Sequence, residues 1–262
     1  MKDNNQKQTE SCVVVGNARL DLLIRLVREV PCQRLIDVGS DHATVPIQLR
    51  KLNYCSRVLV TDLRKGPLSM AVRRAAEEGI TEGFDAVQAD GLDGIEFFSE
   101  DVLLISGLGG QTIVRILERN AQNAKIPKRM ILQPQTHPEI LRAMLCERGF
   151  AISDERCVHD RGQTYLVIVC DRNDEPLSSL SPLQAYIGPV ILSRLKETTA
   201  RYRCLDDDEN HDRDSIPDVD NEDYAIIEYL RKRKRRLDRQ APYRISAKKL
   251  LRELNLFTSG EK

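Results

Sequence analysis

A chain of 262 residues, 41% hydrophobic and 31% charged, allows one or two domains of about 150 residues and a sizeable buried core, which excludes a short peptide module. Its apolar runs fall far short of the roughly 20 residues a bilayer span needs, and the start MKDNNQKQTE lacks the apolar core of a signal peptide, so a cytoplasmic protein without membrane attachment is expected. Forty basic and forty acidic residues sum to zero, yet ten acids stand against one base between Asp206 and Asp223, and eleven bases against one acid from Arg231 to Arg252. The acidic segment reads as a solvated loop. The basic one suits either a polyanionic partner or an ordinary solvated helix face. Seven cysteines without a CxxC pair point to reduced, half-buried thiols rather than a disulfide framework or a zinc site.

In chain order, Leu20, Leu23, Ile24, Val27 and Val30 recur at helical spacing until Pro31 ends the segment. A βαβ rhythm follows, in which short runs rich in Val, Leu and Ile end in Asp, Gly or Pro and lead into helix-like stretches. The runs are RLIDVG at 34–39, RVLVTD at 57–62, DAVQAD at 85–90, VLLISG at 102–107 and RMILQP at 129–134. Helices are predicted near 43–52, 66–79, 110–122 and 138–148, with Pro67 and Pro138 as first-turn residues. After Gly149, AISDERCVHD and TYLVIVCD flank RGQ and predict an antiparallel hairpin. An α/β fold of five parallel strands closed by a hairpin is the Rossmann-like arrangement of class I methyltransferases. A dinucleotide-binding dehydrogenase would continue with parallel strands and carry a full GxGxxG after the first strand.

The turn-rich stretch Pro176 to Pro182 divides the chain into a cofactor-binding domain over 1–176 and a small helical domain over 177–262. There, Leu183 to Leu205 and a helix from about Tyr224 are predicted to form an antiparallel, coiled-coil-like pair projecting from the first domain.

Three strands end in acids. Asp37 with Gly39, Asp62, and Asp90 with Gly91 all fall on the carboxyl edge, where open parallel sheets bind ligands. Asp37 is placed to accept from an ammonium group, Asp62 to hold ribose hydroxyls 25 residues further on, and Asp90 to reach an adenine. Glycine at 39 admits positive φ and close backbone approach.

The segments IDVGSDHATVP, TDLRKGPLSMA, QADGLDGI, ISGLGGQTIVRIL, ILQPQTHPEILR and GQTYLVIV resemble, in the same order, the signatures DIGSDHAYLP, GEIxxGP, QGDGL, IAGMGG, LQPN and GKxYEV of the bacterial tRNA (adenine(22)-N(1))-methyltransferase family. The resemblance covers roughly residues 17 to 195. It implies S-adenosyl-L-methionine as methyl donor, tRNA as partner, and a helical second domain that helps hold the tRNA. No metal is expected, and a monomer is. Thr44 stands where the family carries tyrosine and Gln135 where it carries asparagine, so the surroundings of the target base differ. A methyltransferase acting on another RNA and a non-catalytic RNA-binding relative remain alternatives.

The N1 atom of adenine already carries a lone pair, so such a site needs placement and a surface that accepts positive charge rather than a base. Asp41 is the leading candidate to hold N6 and stabilise the methylated cation, although it equally suits a helix cap. His42 is a candidate to orient the base or relay a proton, and Tyr165 to stack on or hydrogen-bond it. Arg19 matches a family arginine and is a candidate for the cofactor carboxylate or an RNA phosphate. Gly107, Gly109 and Gly110 leave room for a flat base beside the sulfonium. They stand where methyltransferases of exocyclic amines carry (Asn/Asp)-Pro-Pro-aromatic.

Overall fold

A computed structural model of the chain describes residues 16–39, 42–98, 100–120, 127, 129–173, 179–197 and 221–259. The five apolar runs form β1 (Arg34–Val38), β2 (Arg57–Asp62), β3 (Phe84–Gln88), β4 (Asp101–Leu108) and β5 (Arg129–Pro134). Between and before them lie α1 (Ala18–Arg28), α2 (Thr44–Lys51), α3 (Lys65–Glu77), α4 (Gly110–Asn120) and α5 (Pro138–Glu147). The predicted hairpin is β6 (Phe150–Asp160) and β7 (Gln163–Arg172), which turns through Arg161 and Gly162, both at positive φ. All seven strands join one sheet in the order β3-β2-β1-β4-β5-β7-β6. β1 to β5 pair in parallel, and β7 runs antiparallel to both β5 and β6.

Side chains alternate across the strands with period two, which sends them to opposite faces of the sheet. Leu35, Val58, Leu104, Ile131 and Val169 meet α1 and α2 on one face. Ile36, Leu59, Leu103, Ile105, Met130, Leu132 and Ile168 meet α4 and α5 on the other. Val38 is level with Thr61 and Ile105, so the carboxyl ends of β1, β2 and β4 finish on one edge. Cys32 and Cys55 are both buried with their sulfurs 2.7 Å apart. Cys12 and Cys204 lie outside the described residues.

The helix expected over Leu183 to Leu205 is instead two, α6 (Pro182–Ile187) and α7 (Pro189–Glu197), separated by Gly188; residues 198–205 lie outside the described range. Pro189 cannot continue α6, because it has no N–H to donate and disfavours helical geometry at the residue before it, and Gly188 takes φ 126°. The fully buried Glu155 carboxylate occupies the space a side chain at Gly188 would need. It accepts from the first amides of α7, Val190 N at 2.9 Å and Ile191 N at 3.3 Å. The basic segment forms α8 (Asn221–Gln240) and α9 (Ile245–Ser259). α8 does not project. Its Ala225, Ile226, Ile227, Tyr229, Leu230 and Leu237 are buried in the same core as Cys157, Leu166 and Ile168 of the hairpin.

Two parts of the charge reading change with this packing. Residues 206–220 of the acidic segment lie outside the described residues, whereas Glu222 and Asp223 open α8. Glu222 is bound to Arg156 at 3.0 Å and Arg194 at 2.7 Å. Among the eleven bases, Arg233 is an interior residue. It bonds Glu139 and the Tyr186 carbonyl, each at 2.9 Å, and lies 3.6 Å over the Tyr186 ring.

Candidate functional site

Two adjoining cavities open at the carboxyl edge of the sheet. The first, about 330 Å³, is walled by Arg19, Asp37, Gly39, His42, Thr44, Ser106, Gly107, Leu108 and Gln135. Gly39 turns the chain here at φ 73°, which glycine adopts without strain, and its N–H donates to Thr61 O at 2.8 Å, so the strand end is fixed; a Cβ there would rest on Leu108 at 3.6 Å. Asp37 is 6% exposed at the floor. His42 is exposed at the rim, with its carbonyl held by the Arg74 guanidinium of α3. Asp41 lies outside the described residues.

The other predicted cofactor residues are on the same edge but outside this wall. Asp62 ends β2 and accepts from the Arg64 amide at 2.8 Å. Asp90 forms an ion pair with Arg119 of α4, which also binds Asp93, so its carboxylate already has a cationic partner. Gly91 is required by packing: a Cβ there would lie 2.8 Å from Ile116 of α4. The glycines after β4 also divide. Gly107 faces the cavity, whereas a Cβ on Gly110 would strike His137 O at 2.5 Å. Gly109 packs on Thr136. Only the first of the three leaves room for a ligand; the other two let α4 start against the loop after β5.

The second cavity, about 560 Å³, shares Arg19 and Gln135 with the first. Its wall adds Gln133, Tyr165, Lys232, Arg233, Arg236 and Arg239. The Arg19 guanidinium lies 5.2 Å over the Tyr165 ring and donates to Gln133 Oε1 at 3.1 Å. The Tyr165 hydroxyl donates to Gln163 at 3.1 Å. Burial pushes Glu139 up, but Arg233 and Arg236 beside it hold its carboxyl below the ordinary carboxylate range. The basic face of α8 therefore borders the cavity that contains Tyr165.

Sequence reasoning missed Gln133. Its signal was present as the one polar residue in the otherwise apolar, fully buried end of RMILQP. At that level β4 bulges, Ser106 pairing with Gln133 and Leu108 with Pro134, which leaves Gly107 out of register. Bulges of this kind re-aim groups beside ligand sites. Among the described residues no cluster of three metal-ligating side chains occurs, and no helix is long and apolar enough to cross a membrane.

A sheet ordered 3-2-1-4-5-7-6, with a cleft at the carboxyl ends of β1 and β4, defines a class I methyltransferase fold. The chain belongs to the tRNA (adenine(22)-N(1))-methyltransferase family, whose sequence profile matches residues 35–210. It is 31% identical over 140 residues to the tRNA (adenine(22)-N(1))-methyltransferase of Bacillus subtilis, an alignment covering 53% of this chain and 59% of that one. The match thus spans less than two thirds of the Bacillus protein's length. A crystal structure of Streptococcus pneumoniae Sp1610, a candidate tRNA (m1A22) methyltransferase, is similar with a TM-score of 0.60 at 27% identity. It covers 81% of this chain and 98% of that one. The same protein in complex with S-adenosyl-L-methionine gives a TM-score of 0.70 at 24% identity over 90% of this chain and 98% of that one, a likeness of fold.

Proposed function

We propose that this protein methylates N1 of adenine 22 in tRNA, with S-adenosyl-L-methionine as donor. The observation that carries the reading is the pair of joined cavities. One is framed by the end of β1, with Asp37 and Gly39, and by Gly107 at the end of β4, and the other is bordered by Tyr165 and the cations of α8. The residues of the first fit the cofactor: the buried Asp37 carboxylate for an ammonium group and the glycine turn at Gly39 beside it, with Asp62 further along the same edge, outside the wall, for ribose hydroxyls. When bound, S-adenosyl-L-methionine supplies an electrophilic methyl group on its sulfonium.

The protein's own part is placement. N1 needs no deprotonation, so the residues around it orient the ring and exclude water. Tyr165, held by Arg19 and Gln163, offers a flat face and a hydroxyl beside the shared wall. Asp41 is assigned to hold N6 and to offset the charge that appears on the purine, and His42 to orient the base from the rim. Cations on the exposed face of α8 hold the backbone of the RNA. In this division residues 1–176 bind the cofactor and 177–262 contact tRNA. The protein works as a monomer in the cytoplasm.

The test is mass spectrometry of tRNA from a strain lacking the gene. Loss of 1-methyladenosine from the fragment containing position 22, restored by the wild-type gene and not by Asp41→Ala, is expected. Unchanged 1-methyladenosine would refute the reading.

A further inference from the structure

The amide of Gln133 is the most unusual polar group in the described interior. The residue is fully buried, and its Oε1 accepts three hydrogen bonds from three positions: Gly107 N at 3.1 Å, Ser106 Oγ at 3.2 Å and Arg19 Nη1 at 3.1 Å. Arg19 and the Gly107 amide can only donate, so the orientation of the side-chain amide is settled by its surroundings. Its other end, Nε2, has no hydrogen-bond partner among the described residues. A buried, unpaired donor is costly, and native proteins keep few of them without a purpose.

The location gives the purpose. Gln133 belongs to the wall of the cavity that holds Tyr165, and it touches the Gly107 bulge and Arg19, both of which also wall the first cavity. Since Oε1 is fully engaged by the protein, Nε2 is the only part of this amide that can serve a ligand, and it can only donate. A purine with N1 turned to the sulfonium and N6 held by a carboxylate has two acceptors left on its rings, N3 and N7.

We infer that Gln133 reads the target base by donating from Nε2 to a ring-nitrogen acceptor of the purine. The inference rests on the methyltransferase reading and adds a substrate-contacting residue to it. The three bonds to Oε1 preorganise the donor, so the base meets an amide that has no freedom left to lose. Arg19 has a second task in this arrangement: by binding Oε1 and stacking on Tyr165 it couples the amide to the aromatic wall.

Two kinds of change test this. Gln133→Glu keeps an oxygen for Gly107, Ser106 and Arg19 but removes the donor; Gln133→Leu removes both ends. The substrates are tRNA carrying adenosine, 7-deazaadenosine or 3-deazaadenosine at position 22, each deaza base lacking one acceptor. With wild-type protein, one of the two deaza substrates should lose about tenfold or more in kcat/KM, while calorimetric affinity for S-adenosyl-L-methionine stays the same in Gln133→Glu. On that deaza substrate Gln133→Glu should add no further loss, because both changes delete one contact. Additive losses on both deaza substrates would overturn the inference, as would full activity of Gln133→Glu on adenosine. A Gln133→Glu loss confined to cofactor affinity would overturn it too, assigning the amide to the cofactor carboxylate. If Gln133→Leu or Gln133→Glu fails to fold, the deaza substrates with wild-type protein still decide: equal rates on all three refute it. Absence of methylation by wild-type protein on unmodified tRNA would refute the methyltransferase reading instead.

Discussion

The two halves of the sheet are held by different means. The β1–β2–β3 half, which carries the cofactor edge, rests mainly on apolar packing; its Arg57–Asp85 pair, at 2.8 Å, is exposed, and its one inward pair joins Arg34 of β1 to the buried Asp101 at the start of β4, among the described residues. The hairpin half is crossed by buried charge. Arg142 of α5 and Glu155 of β6 meet at 2.7 Å with both side chains fully buried. The guanidinium also donates to Ala185 O at 3.0 Å, Tyr186 O at 3.2 Å and the Tyr229 hydroxyl at 3.3 Å, so α6 and α8 are tied to the sheet through one residue. A mostly apolar half can present a cofactor edge from local strand ends. The substrate half has to fasten late helices to early strands, and it does so with directional polar contacts.

This contrast is tested first by stability. Arg142→Ala leaves Glu155 buried and unpaired and should cost about 3 to 5 kcal/mol in denaturant unfolding. Arg57→Ala, which breaks an exposed pair, should cost less than about 1 kcal/mol. Equal effects would erase the distinction between the halves.

The next effect is on ligands. Asp62→Ala should lose about 1 to 3 kcal/mol of cofactor affinity by calorimetry, the usual cost of losing hydrogen bonds to a charged group, with tRNA binding nearly unchanged. Replacing Lys232, Arg235, Arg236 and Arg239 by Ala should do the converse. It should weaken tRNA binding at every sequence and lower the salt slope by roughly 0.7 to 0.9 per lost phosphate contact. An unchanged slope would make that face an ordinary solvated surface. Arg233 is left out because it is ion-paired inside the protein.

The smallest effect is acid sensitivity. Burial raises the Glu139 carboxyl, yet Arg233 and Arg236 hold it below its ordinary value of about 4.5, with His137 also 3.3 Å away. A lowered folded value means the pair stabilises above that ordinary value and is lost as pH falls through the folded one. Stability should therefore decline below about pH 4.5, and Glu139→Gln should flatten that decline. An unaltered pH profile in Glu139→Gln would remove this pair from the account.

Much of the fold was legible because its signals are local. The strand runs, their acidic or glycine ends and the RGQ turn each lie within a few residues, and all seven strands form where the pattern places them. What was not legible depends on distant partners. Gly188-Pro189 is itself a local break signal, but that position 188 has no room for a side chain shows only when Glu155 is brought against it from 33 positions away. Arg233 sits in a basic run that reads as solvated, and only Glu139 and Tyr186 make it internal. At the site, Asp37, Gly39, His42, Gly107, Arg19 and Tyr165 were all visible as motif residues. Gln133 also stood in a motif, the LQP of ILQPQ, but its role was not legible there, because it depends on which of its atoms the surrounding donors occupy.

The central claim is tested most directly with purified protein, methyl-labelled S-adenosyl-L-methionine and two tRNA transcripts that differ only at position 22, adenine in one and guanine in the other. The account predicts one labelled 1-methyladenosine per adenine-22 transcript, mapped to that position by nuclease digestion and mass spectrometry, and no label in the guanine transcript. Label at another position, on N6, or equally in both transcripts would contradict it.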